Sequence, residues 1–231
     1  MAIISVPKKE IEKISKINEN LVEKINLMGT PVEEVKNDTI EIEVLPNRPD
    51  LLSIQGFLRA FKTYLEKERG LKSYKVEKPE KNFKVKIDPS VKDIRPYTAC
   101  AIIKNLNFND EKIKEIIDIQ EKIHAGLGRN RKKIAIGIYP LEKIALPIRF
   151  EARNPKEIKF QPLEVERELN GLQILQQHPT GREYAHLLEG KDKFPIFIDS
   201  KNKILSMPPI INSHETGKIT NNTKEIFIEC S

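Results

Sequence analysis

The first third of the chain shows hydrophobic residues at two different spacings. From Lys8 to about Met28 they recur every three or four residues, which predicts a single amphipathic helix that ends at Gly29. From Thr39 to Leu45 they alternate with polar residues, which predicts a strand with its isoleucines facing a core and its glutamates facing solvent. Both elements need an apolar surface to pack against, so we expect them to belong to one small domain.

Further elements complete this predicted domain. An apolar run predicts a short strand at Ala2–Val6, and Pro31–Val35 is predicted to form a two-strand unit with Thr39–Leu45 across a turn at Asn37-Asp38. Tyr74–Val76 is a possible additional strand. A second helix is predicted to start at an Asp50 cap and to be closed by Gly70. Helices on one side of a small antiparallel sheet would bury all these faces, which predicts an α+β fold.

The boundary of the first domain is predicted at the charged stretch Glu77–Asn82, which contains Pro79 and no apolar residue. Residues 1–82 would then form a small structural domain, and residues 83–231 a larger one. The first domain shows no catalytic constellation. Arg48 is either functional or, as is more common for an arginine beside a turn, an anchor for that turn or for a domain contact.

Residues 83–231 predict a mixed-sheet α/β domain. The nearly continuous apolar run Thr98–Ile103 is typical of a central strand covered on both faces. Asn109 or Asp110 is expected to cap a helix that runs to about Ala125. The other predicted strands are Phe83–Ile87, Ile134–Tyr139, Ile148–Ala152, Phe194–Asp199, Lys203–Met207 and Glu225–Cys230, and the other predicted helices are Leu163–Gln176 and Arg182–Leu188.

Candidate chemistry is concentrated between Ile204 and Thr220. An apolar strand is stopped there by two prolines, which cannot donate ladder hydrogen bonds, and a polar run follows from Asn212 to Gly217. An amide, a hydroxyl, an imidazole and a carboxylate on a loop with a rigid stem suit binding or catalysis. The alternative is an ordinary polar turn with Gly217 at a positive φ.

Charge adds a candidate partner. A formal net charge of +6 and a pI of about 9.1 favour a polyanion such as nucleic acid, although a solvated lysine- and glutamate-rich surface would have the same composition. The most compact basic stretch is Arg129–Lys133, in which four of the five residues are cationic. This stretch either holds phosphates or is a solvated loop paired with Glu121 or Asp118.

Several classes of site are disfavoured. The chain has no nucleophile elbow, no zinc-protease motif, no phosphate-binding glycine loop and no dinucleotide fingerprint. Cys100 and Cys230 belong to no C-x-x-C pair or cysteine–histidine cluster, so we expect two buried reduced thiols and no metal site. With no signal peptide and no apolar stretch of membrane-spanning length, we expect a cytoplasmic protein without membrane contact.

The four histidines have different sequence surroundings. His124 lies near the apolar face of its predicted helix and is expected to pack in a core. His178 and His186 are expected to be solvated in or near a connecting loop. His214 lies within the polar run and is therefore the histidine with the best claim to a functional role.

Four sequence blocks occur in order along the chain: NRPDLL at Asn47–Leu52, IRPY at Ile94–Tyr97, QEKIHAGLGRNRKKIAIG at Gln120–Gly137, and SMPPIIN with KITNNTKEIFIEC in residues 206–230. Together they closely resemble the beta subunit of archaeal and eukaryotic phenylalanyl-tRNA synthetase, and the resemblance covers essentially all 231 residues. It implies that the chain is the N-terminal part of that subunit and contains its amino-acid editing domain.

The resemblance implies a function and partners. The expected activity is hydrolysis of tRNA(Phe) mischarged with tyrosine, and the expected partners are that tRNA and the synthetase alpha subunit, in a heterotetramer of two alpha and two beta subunits. No cofactor is expected in this part of the enzyme, and ATP and Mg²⁺ are expected only for the full enzyme, whose synthetic site the family places on the other subunit. The alternative is a non-catalytic basic module for tRNA binding or subunit assembly.

The editing interpretation assigns roles to the residues that carry the resemblance. Asn212, His214 and Glu215 are the candidate catalytic residues, with Glu215 or His214 positioning water or the substrate ammonium. The candidate substrate-binding residues are Leu205, Pro208, Pro209, Ser213 and Thr216, and the candidate tRNA-binding residues are Arg129, Arg131, Lys132 and Lys133.

The chain departs from the family pattern at two places. Tyr139-Pro140 stands where the family often has a histidine–aspartate pair, which weakens any catalytic role for that position. Ser231 is followed by nothing where the family usually continues with a glycine–threonine–aspartate segment, so part of the expected pocket would be missing.

Overall fold

The computed structural model describes residues 2–231, which fall into two compact units. The first comprises the residues up to Val76 together with Ile117–Leu127, and the second comprises Glu77–Ile116 and Gly128–Ser231. The division between the units therefore lies at the start of the charged stretch Glu77–Asn82. The domain boundary after residue 82 stays a prediction.

The first unit is a three-stranded antiparallel sheet with helices packed on it, and its strands lie in the order β1-β3-β2. Its elements are β1 (Ala2–Pro7), α1 (Lys8–Glu12), α2 (Glu19–Leu27), β2 (Val32–Val35), β3 (Thr39–Val44) and α3 (Ile54–Tyr64). The inward positions of the β3 alternation are confirmed, because Ile40, Ile42 and Val44 are buried in the core. Glu41, predicted to face solvent, is instead covered and accepts hydrogen bonds from the Ser5 and Thr39 hydroxyls.

The single helix predicted over Lys8–Met28 is wrong, because two helices share that apolar face. The side chain of Asn18 accepts a hydrogen bond from the Leu21 amide at 2.9 Å and so caps a new helix, α2. Asparagine is a strong N-cap because its short side chain satisfies an amide that has no partner within the helix. The three-to-four spacing continues across the break, which is why periodicity alone did not reveal it.

The predicted Asp50 cap is also wrong. Ser53 caps α3 by accepting a hydrogen bond from the Gly56 amide at 2.9 Å. Asp50 lies in a single 3₁₀ turn and pairs with Arg48 at 2.9 Å, which makes Arg48 an anchor for this turn. The possible strand at Tyr74–Val76 is absent, since residues 71–80 have no regular secondary structure.

The second unit contains two stacked sheets, a separate two-stranded sheet formed by Lys159–Phe160 and Leu169–Asn170, and flanking helices. Its elements are β4 (Val85–Ile87), β5 (Ala99–Ile103), α4 (Asp110–Ala125, shared with the first unit), β6 (Ile136–Pro140), β7 (Ile148–Arg153), β8 (Lys159–Phe160), β9 (Leu169–Asn170), α5 (Gly171–Gln177), α6 (Pro179–Tyr184), β10 (Phe194–Ile198), β11 (Ile204–Met207), β12 (Ile211–Asn212), α7 (His214–Gly217) and β13 (Ile226–Cys230). The larger sheet has the order β12-β11-β10-β7-β4, and the smaller has the order β5-β13-β6.

The mixed α/β fold is confirmed. Strand β4 runs parallel to β7, whereas the other pairs of the larger sheet are antiparallel. Phe150 and Phe197 stack on the inner face of this sheet with ring centroids 4.3 Å apart, and Leu205 lies in the same buried cluster. Tyr139 and Phe227 enter that cluster from the smaller sheet, so the two sheets pack face to face.

Strand β5 corrects a prediction. The run Thr98–Ile103 was expected to be a central, doubly covered strand, but β5 is at the edge of the smaller sheet, and most of its residues are exposed. Its alanines and Cys100 are too small to require a cover on both faces. Cys100 is consequently exposed and Cys230 half-buried, and both are free thiols, so the expectation of two buried cysteines is wrong.

Neither of the two helices predicted after residue 163 begins at its predicted residue. Asn170 and Gln173 form a reciprocal capping box that starts α5 at Gly171, well after the predicted Leu163. Helix α6 begins at Pro179 rather than at Arg182, since a proline is well suited to the first helical position. No helix within residues 2–231 is long and apolar enough to cross a membrane.

Gly181 allows α6 to approach α5 closely, which generates a stability prediction. An ideal Cβ at this position would overlap the backbone carbonyl of Ile174. We expect Gly181→Ala to reduce the free energy of unfolding by about 1–3 kcal/mol, because the backbones must separate. Urea unfolding measures this, with the exposed Glu183→Ala on the same helix as the control. Equal midpoints for the two variants would contradict the close approach.

Candidate functional site

The segment that carries the candidate chemistry is more ordered than the predicted loop. After the Pro208-Pro209 turn, β12 pairs back on β11 with Asn212 opposite Ser206, and the helical turn α7 follows directly. Gly217 ends α7 without a positive φ, so the alternative of an ordinary glycine turn is also wrong. Its ideal Cβ would lie 2.7 Å from Cβ of Asn212, and the missing side chain therefore allows α7 to close onto Asn212.

Backbone hydrogen bonds hold this segment from both sides. The Ser213 amide donates to the Leu205 carbonyl at 2.8 Å, which continues the contact with β11. On the other side the His214 amide donates to the Gln161 carbonyl at 2.8 Å, and the Leu163 amide donates to the Asn212 carbonyl at 3.0 Å. Side chains on this segment are therefore displayed from a fixed backbone, as a binding or catalytic site requires.

The structure separates the predicted site residues into three groups by exposure. The proposed substrate-binding residues are buried: Leu205, Pro208, Pro209, Ser213 and Thr216. Asn212 and His214 are half-buried, and Glu215 is exposed. Asn212 contacts buried polar groups beneath the segment, whereas Glu215 forms an ion pair with Lys203 at the surface, so these two side chains do not converge on one point. Their catalytic roles stay predictions.

Glu215 lines a cleft of about 330 Å³ in the second unit. Lys203 and Lys143 also line it, and Asp199 lies at its base. Asp199 is buried and accepts backbone hydrogen bonds from Ala145, Lys201 and Lys203 at 2.8–3.0 Å, so it fixes the shape of the wall. The volume of the cleft is at the lower end of the range for small-molecule sites.

Tyr139 is the centre of a buried polar network that the sequence interpretation missed. It has no exposed surface, and its hydroxyl lies 2.7 Å from Ser206 Oγ, 3.3 Å from Glu229 Oε1 and 3.4 Å from Asn212 Oδ1. This network joins β6 and β13 of the smaller sheet to β11 and β12 of the larger one. It therefore connects the candidate residue Asn212 to the core of the unit.

Burial dominates the electrostatics of this network. It raises the pKa of Glu229 from its usual range to about 8, although the Ser231 hydroxyl, the Arg95 guanidinium and the Tyr139 hydroxyl all oppose that shift. Burial, and then the neighbouring Glu229, raise the pKa of Tyr139 well above its usual value. One signal in the sequence could have identified Glu229: the alternation of IFIEC places it on the same face as the core residue Phe227.

The basic stretch Arg129–Lys133 forms a turn with an unusual backbone. Arg129, Asn130 and Arg131 have consecutive left-handed φ angles of 49°, 52° and 62°. Arg131 folds inward, where its Nη1 donates to the Ile210 carbonyl at 2.9 Å and its guanidinium stacks over the Tyr184 ring at 4.3 Å. The other three cations, at 129, 132 and 133, are exposed.

Arg95 supports this turn from beneath. Its Nη2 donates to the Arg131 carbonyl at 3.0 Å and to the Ser231 carbonyl at 2.7 Å. The two carboxylates proposed as partners of the basic stretch have neighbours on α4: Asp118 pairs with Lys122 at 2.6 Å, and Glu121 lies 3.3 Å from the ring of His124.

Two of the histidines are buried in the structure. His124 is buried as predicted. His178 was expected to be solvated, but this is wrong: it is only 1% exposed, and its ring Nε2 is hydrogen-bonded to the Leu163 carbonyl at 2.9 Å. Residues 2–231 contain no group of three or more histidine, cysteine or acidic side chains that could hold a metal ion.

Comparisons with known proteins agree on one family. The model of the B3/4 domain matches residues 95–231. A phenylalanine–tRNA ligase beta subunit from Archaeoglobus fulgidus is 36% identical over 230 residues, which is 99% of this chain and 41% of the relative, and one from Thermococcus sibiricus is 45% identical over 183 residues, which is 79% of this chain and 32% of the relative. The chain thus spans about two fifths or less of the length of these curated relatives.

A solved structure extends this agreement to the fold. The crystal structure of an N-terminal fragment of the phenylalanyl-tRNA synthetase beta subunit from Pyrococcus horikoshii superimposes with a TM-score of 0.89 at 37% identity. The match covers 99% of this chain and 67% of that fragment. A sequence identity of 37% indicates membership of the same family as well as a shared fold.

The inward fold of Arg131 generates a prediction that separates it from its neighbour. We expect Arg131→Gln to reduce the free energy of unfolding by about 1.5–3 kcal/mol, because hydrogen bonds from a charged group to buried carbonyls are removed. The exposed Arg129→Gln removes the same charge and should change stability by less than about 0.5 kcal/mol. Thermal or urea unfolding of both variants measures the difference, and equal stabilities would show that the Arg131 hydrogen bonds are dispensable.

Proposed function

This chain belongs to the family of phenylalanine–tRNA ligase beta subunits, and from that premise we propose that its second unit hydrolyses tRNA(Phe) mischarged with tyrosine. The observation that carries the proposal is the match of the B3/4 domain to residues 95–231, which include the whole of the polar segment from Asn212 to Thr216. The same premise proposes the synthetase alpha subunit and tRNA(Phe) as partners, a cytoplasmic location, and an ATP and Mg²⁺ site elsewhere in the enzyme.

The reaction has a clear physical need. Tyrosine differs from phenylalanine by one hydroxyl, and an apolar pocket rejects an added hydroxyl by only about a hundredfold. A second site that hydrogen-bonds the hydroxyl discriminates far more strongly, because phenylalanine would leave its buried polar groups unpaired. A hydrolytic site of this kind removes the wrong product after the first site has made it.

The geometry suits ester hydrolysis by a positioned water. An aminoacyl ester is already activated, so the site needs orientation and stabilisation of the developing oxyanion more than a nucleophile. Asn212 and His214 offer a fixed amide and imidazole on the rigid segment, and Glu215 offers a carboxylate at the edge of the 330 Å³ cleft. In this proposal Glu215 or His214 positions the water or the substrate ammonium, and Asn212, which does not converge on Glu215, acts from the buried side of the segment.

A second candidate function is tRNA binding without hydrolysis. It is favoured by the net charge of +6 and by the three exposed cations of the Arg129–Lys133 turn. Deacylation of purified Tyr-tRNA(Phe) by the protein distinguishes the two, because a pure binding module would slow spontaneous hydrolysis or leave it unchanged.

The editing proposal predicts the effect of two substitutions. We expect Asn212→Ala and Glu215→Ala to slow Tyr-tRNA(Phe) hydrolysis by about 10²–10³-fold, which is the typical cost of losing one preorganised polar group. The matched control is Asn222→Ala in an exposed turn. Single-turnover hydrolysis with labelled Tyr-tRNA(Phe) measures the rates, and circular dichroism verifies the fold.

Two outcomes would contradict the proposal. Absence of hydrolysis by the unmodified protein, with tRNA binding intact, would favour the binding module. Unchanged rates in both variants would remove the Asn212–Thr216 segment from the reaction and leave its polar side chains as ordinary surface.

The exposed cations of the basic turn generate a separate prediction. If they bind tRNA phosphates, joint replacement of Arg129, Lys132 and Lys133 by glutamine should raise KM for Tyr-tRNA(Phe) more than it lowers kcat. The slope of log Kd against log salt should also fall by about 0.7–0.9 for each phosphate that is no longer neutralised. The control replaces Lys156, Lys159 and Lys193, three exposed lysines of the same unit. Equal slopes for the two triple variants would place the tRNA elsewhere.

A further inference from the structure

The buried network beneath Asn212 contains a carboxyl group in an unusual setting. Glu229 is 2% exposed, and its Oε1 lies 3.3 Å from the Tyr139 hydroxyl. Its second oxygen, Oε2, has no hydrogen-bond partner among residues 2–231. Gly137 lies opposite Glu229 in the sheet, and a Cβ there would overlap both Oε1 and the Tyr139 hydroxyl, so the sequence leaves room for this pair.

The charged and titratable groups around Glu229 come from every element that packs against it. Cys100 of β5 lies directly opposite, Cys230 follows on β13, and Tyr139 extends from β6. The Arg95 guanidinium attracts a negative charge at this position, but its hydrogen bonds are made to Ser231 and to the Arg131 carbonyl. The Ser231 hydroxyl also favours the ionised form, but burial outweighs all these groups. An ionised Glu229 would keep its Oε2 without a hydrogen-bond partner within reach, which is costly in an apolar interior.

The hydroxyl of Tyr139 can point in two directions. If Glu229 carries a proton, it donates that proton to the Tyr139 oxygen, and the Tyr139 hydroxyl then donates toward Ser206 Oγ at 2.7 Å, with Asn212 Oδ1 nearby. If Glu229 is ionised, the Tyr139 hydroxyl must turn to the carboxylate, and Ser206 must become the donor. The tyrosine hydrogen would then point away from β11 and β12, so Asn212 Oδ1, 3.4 Å from the tyrosine oxygen, would lose the O–H that otherwise lies on its side of the network.

We propose that Glu229 keeps its proton in the folded unit at neutral pH, and that this proton, through Tyr139, fixes the orientation of Ser206 and the Asn212 amide. Glu229 and Tyr139 are then positioning residues for the candidate site. This role rests on the proposed function, because it requires Asn212 to take part in hydrolysis. The protonation state of Glu229 is a separate property that can be measured whether or not the protein hydrolyses Tyr-tRNA.

Protonation of Glu229 has a definite effect on stability against pH. Burial raises its pKa to about 8 in the folded unit, whereas the unfolded chain has the ordinary value of 4.5. Between these values the folded state binds one proton more than the unfolded state, so stability contributed by this group is lost as pH rises from about 5 to 8. Above the folded pKa the two states bind equally, and the dependence ends.

The experiment compares urea unfolding of the wild type and Glu229→Gln from pH 5 to pH 9. Glutamine cannot titrate, so we expect the ratio of the unfolding constants, wild type over variant, to rise by about tenfold per pH unit up to about pH 8 and then to level off. Glu183→Gln, at an exposed position, is the matched control and should give a constant ratio. A constant ratio for Glu229→Gln as well would overturn the proposal.

Infrared spectroscopy provides a second measurement that does not depend on the variant being stable. The wild type should show the carbonyl stretch of a protonated carboxyl group at pH 7, and this band should disappear near pH 8–9 as Glu229 ionises. Any Glu229→Gln protein that folds should lack the band. A wild-type spectrum at pH 7 with no protonated carboxyl would overturn the proposal on its own.

The positioning role is tested with Tyr139→Phe, which removes the hydroxyl and keeps the ring. We expect kcat for Tyr-tRNA(Phe) hydrolysis to fall by about tenfold or more with KM unchanged, and the wild-type kcat to fall as pH passes about 8. If kcat is unchanged in Tyr139→Phe, the positioning role is wrong. If the wild type hydrolyses no Tyr-tRNA, the proposed function fails, and the unfolding and infrared results still decide the state of Glu229.

Discussion

The fold of the second unit depends on the face-to-face packing of its two larger sheets, and Tyr139 forms the polar part of that interface. Most of the interface is apolar, with Phe150, Phe197 and Leu205 meeting Phe227 across it. At one end the Tyr139 hydroxyl donates to Ser206, and the same position brings Glu229 and Asn212 within reach. Apolar packing is tolerant of small shifts, but a buried hydrogen-bond network is not, so this end of the interface defines the register of the two sheets.

The interface between the sheets also makes the candidate site rigid. Asn212 lies opposite Ser206 in β12 and beneath the helical turn α7, so three separate elements determine where its amide points. The basic turn is held in a comparable way, because Arg131 reaches the carbonyl of Ile210 while Arg95 holds the backbone of Arg131. The side chains with the greatest freedom, Glu215 and the cations at 129, 132 and 133, are at the surface, where a substrate would arrive.

The sequence predicted the helices and strands better than it predicted their ends, their positions in the sheets and the burial of their side chains. Period-two alternation found β3, and the family resemblance found the segment around Asn212, because both signals are local. The break at Asn18, the edge position of β5 and the burial of His178 were missed, since each depends on how the chain packs in three dimensions rather than on hydrophobic spacing. The Tyr139–Glu229 pair was missed for the same reason: 90 residues separate its members, and only the sheet brings them together.

Gly137 shows how this interface restricts change in the chain. A side chain there would occupy the space of the Tyr139 hydroxyl and the Glu229 carboxyl, so no residue larger than glycine fits while both are present. Positions 137, 139 and 229 therefore cannot vary independently during evolution. Because a Cβ at 137 would overlap both side chains, a larger residue there becomes acceptable only after both 139 and 229 have become smaller. An engineer who wishes to refill this space must therefore change the two large side chains first and Gly137 last.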